Sequence, residues 1–374
     1  MRILITGGAG FIGSHVVDAY VQAGHEVWVL DDLSRGKRDR VNPRARFVRM
    51  DLRSPCLKEL LAERSFDCVI HHAAQIDVRT SVADPARDAM VNIVGTLNLL
   101  EAMRAVGISR VIFASTGGAI YGNQRHFPAS EQHPAAPLSP YGVAKLSVEH
   151  YLEYYRQIHA LRYIVLRYAN VYGPRQDPEG EAGVVAIFGG KILRGERLTI
   201  YGDGEQTRDY VFVHDVARAN LLALHHLTEV VESAESFASV EADQPIESIA
   251  STEKGMRTRS PVNNSMMQQL NGLKRLNGPK RLNSIFNIGT GIETSVNALA
   301  ATMLEAADTD CRIVHQPQRA GEQARSVIDP SLAKHVLGWE PITPLTEGIT
   351  QTLAWFRSEE AVRNQWAVMG SCND

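Results

Sequence analysis

Short apolar runs alternate along the first half of the chain with longer stretches whose apolar residues recur every three or four positions. The runs at 3–6, 26–31, 46–50, 68–72, 111–115 and 163–167 are too short for helices and are bounded by turn residues, so they predict strands. The stretches at 11–23, 92–106 and 141–158 predict helices. Strands that are apolar throughout, rather than alternating, belong to a parallel sheet covered on both faces. The expected fold class is α/β, a doubly wound parallel sheet with a smaller C-terminal lobe. Beyond 167 the pattern loosens, with frequent Gly and Pro from 173 to 204. A strand and helix return at 210–227, a strand at 285–288, a helix at 295–307, a strand at 312–315 and a final helix at 345–357. The sheet domain is expected to take residues 1–168, joined by 208–227 and part of 285–300. The lobe is expected to take 169–207 and 301–374. Residues 228–284 are polar and carry an imperfect six-residue repeat at 271–276 and 277–282. They read as a disordered surface insertion, the alternative being a partner-binding segment.

Composition narrows the functional classes. The chain has 374 residues, 44% hydrophobic and 22% charged, with a formal net charge of -3. That is enough for a large core, and no basic excess marks a nucleic-acid binder. The four cysteines, Cys56, Cys68, Cys311 and Cys372, are scattered and read as reduced thiols rather than a zinc site. No secretory leader and no apolar run of about 18 residues is read. The expectation is a cytoplasmic protein with no membrane partner.

Gly7-Gly8-Ala9-Gly10-Phe11-Ile12-Gly13 follows the first strand and opens the first helix. Glycines there let the backbone approach a pyrophosphate, whose oxygens meet the N–H groups of the helix start. The second strand ends at Asp31, whose carboxylate can accept both ribose hydroxyls of NAD and repel the 2′-phosphate of NADP. The fold is therefore expected to be of Rossmann type, with NAD as cofactor. Asp32 can share the ribose or stay a solvated loop carboxylate. Asp51, followed by Leu52, can meet the adenine amino group or act as a solvent-facing cap. Small residues Ala73 and Ala74, then Gln75, close the fourth strand where the cofactor lies across the sheet edge. His71 and His72 point to opposite faces of a strand and cannot share a metal ion. No metal is expected.

Tyr141 and Lys145 stand four apart on one helix face, with Ser139 and Pro140 suited to the N-cap and first turn. A phenol with a pKa of about 10 is a poor base at neutral pH. An ammonium, a helix N-terminus and a cationic nicotinamide each favour the phenolate. Tyr141 then takes a hydroxyl proton while hydride leaves the same carbon. Ser115 and Thr116, ending the fifth strand, offer the assisting hydroxyl.

These motifs resemble the extended short-chain dehydrogenase/reductase family, in its NAD-dependent epimerase/dehydratase branch and nearest the bacterial UDP-glucose 4-epimerases. The carriers are GGAGFIG at 7–13, HHAAQ at 71–75, FASTGGAIYG at 113–122, SPYGVAK at 139–145, LRYANVYGPRQDP at 166–178 and RDYVFVHDVA at 208–217. The resemblance implies a nucleotide-activated sugar as substrate, redox-neutral inversion at sugar C4 and a homodimer formed by helices 92–106 and 141–158. It adds Asn92 and Tyr168 to the cofactor contacts and places Ala169 near the nicotinamide. It gives Asn170 to the substrate, Arg208 and Arg319 to the diphosphate, and Val184, Val185, Thr199 and Tyr201 to the uridine. Ser326 takes the position that governs access for an N-acetyl group, so N-acetylhexosamine and uronic acid substrates stay open. The family's assisting serine has no counterpart at Gly117 when counted from Tyr121; counting from Tyr141 gives Thr116, with Ser115 as the alternative. Dehydratases of the branch follow the threonine with Asp-Glu, where this chain has Gly117 and Gly118.

Overall fold

Seven apolar runs become the parallel strands β1 (Arg2–Thr6), β2 (Glu26–Asp31), β3 (Arg46–Arg49), β4 (Cys68–His71), β5 (Arg110–Thr116), β6 (Arg162–Tyr168) and β7 (Ile285–Ile288). In the computed structural model, which describes residues 1–178, 183–241, 284–318 and 323–370, they form one sheet. Its order is β7-β6-β5-β4-β1-β2-β3, and every neighbouring pair is parallel. The order reverses between β1 and β4. In an open α/β sheet that reversal opens a crevice at the carboxyl ends of the strands, where ligands bind.

Helices α1 (Phe11–Gln22), α2 (Leu57–Arg64), α3 (Gly95–Val106) and α4 (Pro140–His159) connect the strands. Leu99, Leu100 and Met103 of α3 and Val148 and Leu152 of α4 are buried with Val69, Val111, Phe113 and Val165 of the sheet. Helix α4 starts as its sequence directs. Ser139 Oγ accepts from Gly142 N, and Pro140 stands in the first turn. The helical backbone before α3 begins earlier than 92, with a short helix Pro85–Ala89 and a wide turn Met90–Val94. Together, Pro85–Val106 is long and apolar enough to cross a membrane by length and composition. Arg87, Asp88, Glu101 and Arg104 interrupt it, and Leu99, Leu100 and Met103 pack into the core.

A second apolar cluster joins Val185, Phe188, Leu198 and Ile200 to Met303, Ile349 and Leu353. It also takes in Tyr210, Phe212, Leu299 and Ala300, which the sequence pattern assigns to the sheet domain. Helix Val213–Glu241 runs past 227, so the first part of the expected disordered insertion is helical. Residues such as Glu and Ala there favour helix. The repeat at 271–282 lies outside the described residues. The C-terminal helix likewise runs on, over Leu345–Gly370.

A buried ion pair ties α4 to the sheet. Arg167 on β6 meets Glu149 on α4 at 2.6 Å, with side chains 6% and 3% exposed. Ser115 Oγ donates to Glu149 Oε1 at 2.6 Å. Arg167 also reaches the Tyr121 hydroxyl, which donates to Asn287 Oδ1 on β7. Glu149→Gln leaves Arg167 buried without its counter-charge, so denaturant unfolding is expected to show a loss of about 3–5 kcal/mol. A loss under about 1 kcal/mol, the size of an exposed pair, would show that other groups hold Arg167.

Candidate active site

The crevice is built first from backbone. Gly7 has φ +70, and a Cβ there would lie 2.5 Å from Ala73 N. A Cβ at Gly13 would lie 2.1 Å from Gly7 O. The loop therefore closes on itself and on the residues after β4 only with glycine at both places. Gly10 is the N-cap of α1, and no side chain caps that helix. The helix-start N–H groups at Phe11 and Ile12 are thus the donors an anion would meet. Asp31 Oδ2 accepts from Ala9 N at 3.0 Å and Oδ1 from Leu33 N at 2.9 Å. Its carboxylate stands beside the glycine loop, each oxygen with a lone pair to spare. Burial pushes its pKa up, against the two backbone N–H bonds. A glycine cradle, an uncapped helix start and a carboxylate one strand over together fit the pyrophosphate and ribose of NAD.

Other expected cofactor contacts are differently employed. Asp32 caps its own turn through Ser34. Asp51 is held by Arg53, whose guanidinium and backbone N–H occupy the carboxylate. In this arrangement Asp51 acts as a cap. Leu52 is buried in the core. Asn92 Oδ1 accepts from Gln75 N, while its Nδ2 donates to Gln75 O and Asp88 Oδ1. Both amide protons are used, and Asn92 fixes the backbone after β4. Gln75 spends its own amide on Asp77 and Asp88. Ala73 and Ala74 remain half-buried at the strand end. The histidines do point apart. His71 bonds Thr6 and Thr96, and His72 bonds the Tyr168 hydroxyl. Burial, then the Lys145 charge, pulls His72 down to about 3.

On the other side of the crevice, Lys145 Nζ donates to Ala114 O at 2.9 Å and lies 5.9 Å from the Tyr141 ring centroid. Burial pulls the ammonium down to about 8, opposed by the charges of Asp88 and Glu149. Burial and then the Asp88 charge push the Tyr141 phenol above its usual value. The chain alone therefore holds Tyr141 protonated, contrary to what the ammonium and helix N-terminus lead one to expect. The two hydroxyls separate cleanly. Ser115 is buried and bonded to Glu149, which removes it as the assisting group. Thr116 follows on the opposite strand face. A Cβ on Gly118 would lie 3.9 Å from Thr116 Oγ1 and 3.0 Å from Asn170 Oδ1. Thr116 and Asn170 thus converge over the glycine turn, which packs on the start of α4 through Gly142.

For the nucleotide end, Val184 opens the helix Val184–Leu193, and Val185 is buried in the second cluster. Strand Leu198–Tyr201, packed on that helix, carries Thr199 and Tyr201; Thr199 Oγ1 accepts from Lys191 Nζ. Arg208 Nη1 donates to Thr207 O and Gln323 O. Ser326 is buried beside it, with its N–H on Thr207 O. Arg319 lies outside the described residues. Sequence reasoning missed Glu149 and Asp88. The available signal for Glu149 was a carboxylate on the buried stripe Lys145, Val148, Leu152.

The model of the NAD-dependent epimerase/dehydratase family matches residues 3–235. The chain belongs to this family. It is 38% identical to the UDP-glucose 4-epimerase of Mycolicibacterium smegmatis, over 96% of this chain and 99% of that one. It is similar to the solved UDP-glucose 4-epimerase of Thermotoga maritima, in complex with UDP-glucose, at 42% identity and a TM-score of 0.79, covering 96% and 99% of the two chains. The Thermus thermophilus enzyme, solved with NAD, gives 39% and 0.76 over the same shares. The family member described here is an NAD-dependent enzyme with the Rossmann-type α/β fold, as its sequence leads one to expect.

Gly13→Ala forces a side chain onto Gly7 O and is expected to abolish NAD retention, read by extracting cofactor from the purified protein. Wild-type retention would show that the loop does not depend on that approach.

Proposed function

We propose that the enzyme interconverts UDP-glucose and UDP-galactose by inverting sugar C4 through a 4-keto sugar. The observation that carries this is Tyr141 with Lys145, anchored to Ala114 O two residues before Thr116, and Thr116 with Asn170 over a turn, Gly117-Gly118, that holds no acid. Tyr141 takes the C4 hydroxyl proton, and Thr116 hydrogen-bonds the same oxygen. Lys145, fixed on Ala114 O, supplies the positive charge beside the phenol. NAD, held by the loop of Gly7, Gly10 and Gly13 and by Asp31, would supply the hydride acceptor and donor, and its cationic ring would favour the phenolate that burial disfavours. Arg208, with Arg319 as the sequence expects, holds the diphosphate while the keto sugar turns. Tyr141 would give its proton back as the 4-keto oxygen became a hydroxyl again on the other face. A 4,6-dehydratase needs a further acid, and the turn supplies none.

Small, buried Ser326 favours a second reading, in which a bulkier N-acetyl sugar is also taken. A UDP-N-acetylglucosamine 4-epimerase from Methanobrevibacter ruminantium is similar at 30% identity and a TM-score of 0.76, over 96% of this chain and 98% of that one.

We also propose a homodimer. Met90, Val94, Val143, Tyr154 and Ile158 are exposed along the adjacent helical segments 90–106 and 140–159. An apolar stripe of that kind marks an interface, and a second copy brings the same stripe to meet it.

UDP-galactose is expected to yield UDP-glucose, with turnover of UDP-N-acetylgalactosamine falling selectively in Ser326→Tyr; a 4-keto-6-deoxy product would overturn the reading. Tyr141→Phe is expected to lower kcat by about 10²- to 10⁴-fold. Ile158→Asp is expected to sediment as a single chain; a wild-type protein that already does so refutes the dimer.

A further inference from the structure

The buried charges around α4 do not all find partners. Glu149 is matched by Arg167 at 2.6 Å. Lys145, 4% exposed, has one hydrogen bond among the described residues, to the neutral carbonyl of Ala114. Asp88, 1% exposed, sits on the short helix Pro85–Ala89, which packs against α4. Its Oδ1 takes hydrogen bonds from two neutral amides, Asn92 Nδ2 at 3.0 Å and Gln75 Nε2 at 2.9 Å. Its Oδ2 is buried without a partner among the described residues. A buried ammonium without an anion and a buried carboxylate without a cation are each costly alone and tolerable together.

We infer that Asp88 is a positioning residue, the buried counter-charge of the Tyr141–Lys145 pair. It acts in two ways. Through Asn92 and Gln75 it holds the turn Gln75–Asp77, whose following helix offers Ser81 Oγ to Tyr141 N at 3.3 Å. Through its charge it keeps Lys145 an ammonium and makes the Tyr141 proton harder to remove, so that the phenol gives up its proton only when a cation stands over it. The other groups around α4 leave this role to Asp88. His71 and His72 are neutral, their pKa values pulled down by burial. Arg79 is exposed and paired with Asp77. Tyr163 is bonded to Glu153, and the Tyr168 hydroxyl is bonded to Asn220 and His72. The turn Met90–Val94 and the helix Gly117–Ile120 carry no titratable side chain. Arg110 and Arg162 stand at the far ends of β5 and β6.

The inference rests on Tyr141 as the base, and its test separates the two claims. In the holoenzyme, the tyrosinate absorbance lost in Tyr141→Phe reports the phenol directly. Removing a negative charge makes both the phenol and the ammonium lose their protons more readily. Asp88→Asn is therefore expected to move the phenolate titration, and both limbs of the pH profile of kcat, to lower pH. Asp88→Glu, which keeps the charge, is expected to keep the wild-type limbs whatever its turnover. Unmoved limbs in Asp88→Asn, with Tyr141→Phe dead, overturn the counter-charge and leave the base intact. An active Tyr141→Phe overturns the base itself. A thermal-unfolding cycle gives the second readout: Lys145→Met is expected to lose Tm, and adding Asp88→Asn to restore part of it, because neither buried charge is then alone. Additive losses, or a double variant that does not fold, overturn the proposal.

Discussion

An ammonium held inside an apolar core is the constraint around which this site is arranged. Lys145 is anchored to the carbonyl of Ala114, and that one bond fixes the height of α4 against β5. Everything that must meet the substrate then follows by spacing. Tyr141 stands one turn nearer the helix start, and Thr116 two residues further along the strand. The cost of burying the charge is met by groups that have no contact with the substrate. Burial weakens the ammonium, and carboxylates on two sides oppose that loss in part.

The nucleotide half of the crevice works by the opposite means. It uses few side chains and much backbone. Gly7 and Gly13 allow three pieces of main chain to close on one another, and Asp31 secures the result through Ala9 and Leu33. The Glu149–Arg167 pair and its extension through Tyr121 to Asn287 link α4 with β5, β6 and β7. The chemistry is thus mounted on a sheet whose strands are cross-tied beneath it.

Much of this was legible in the sequence because local rules and global fold agree. Apolar strands of four to seven residues, the glycine loop, the Ser139 cap and the Tyr141–Lys145 spacing each carry their own signature. What was not legible depends on partners distant in sequence. Ser115 and Thr116 look equivalent in the chain; only the packing of Glu149, 34 residues on, tells them apart. Asn92 reads as a ligand until Gln75 and Asp88 are seen to consume its amide. Asp51 has a partner only two residues away, Arg53, which its place at a strand end does not signal. The helix through Glu241 escaped because polar composition was weighed above helix propensity.

The glycine turn beside Thr116 also bears on how such an enzyme could change its reaction. A Cβ on Gly117 would lie 2.7 Å from the tip of Ile328, and one on Gly118 would crowd Asn170. A side chain at either place needs a neighbour to shift, the end of Ile328 at 117 or the amide of Asn170 at 118. Elimination chemistry is therefore not one substitution away. An acid at 117 would have to displace the Ile328 side chain, so a change of chemistry at this turn would involve both positions.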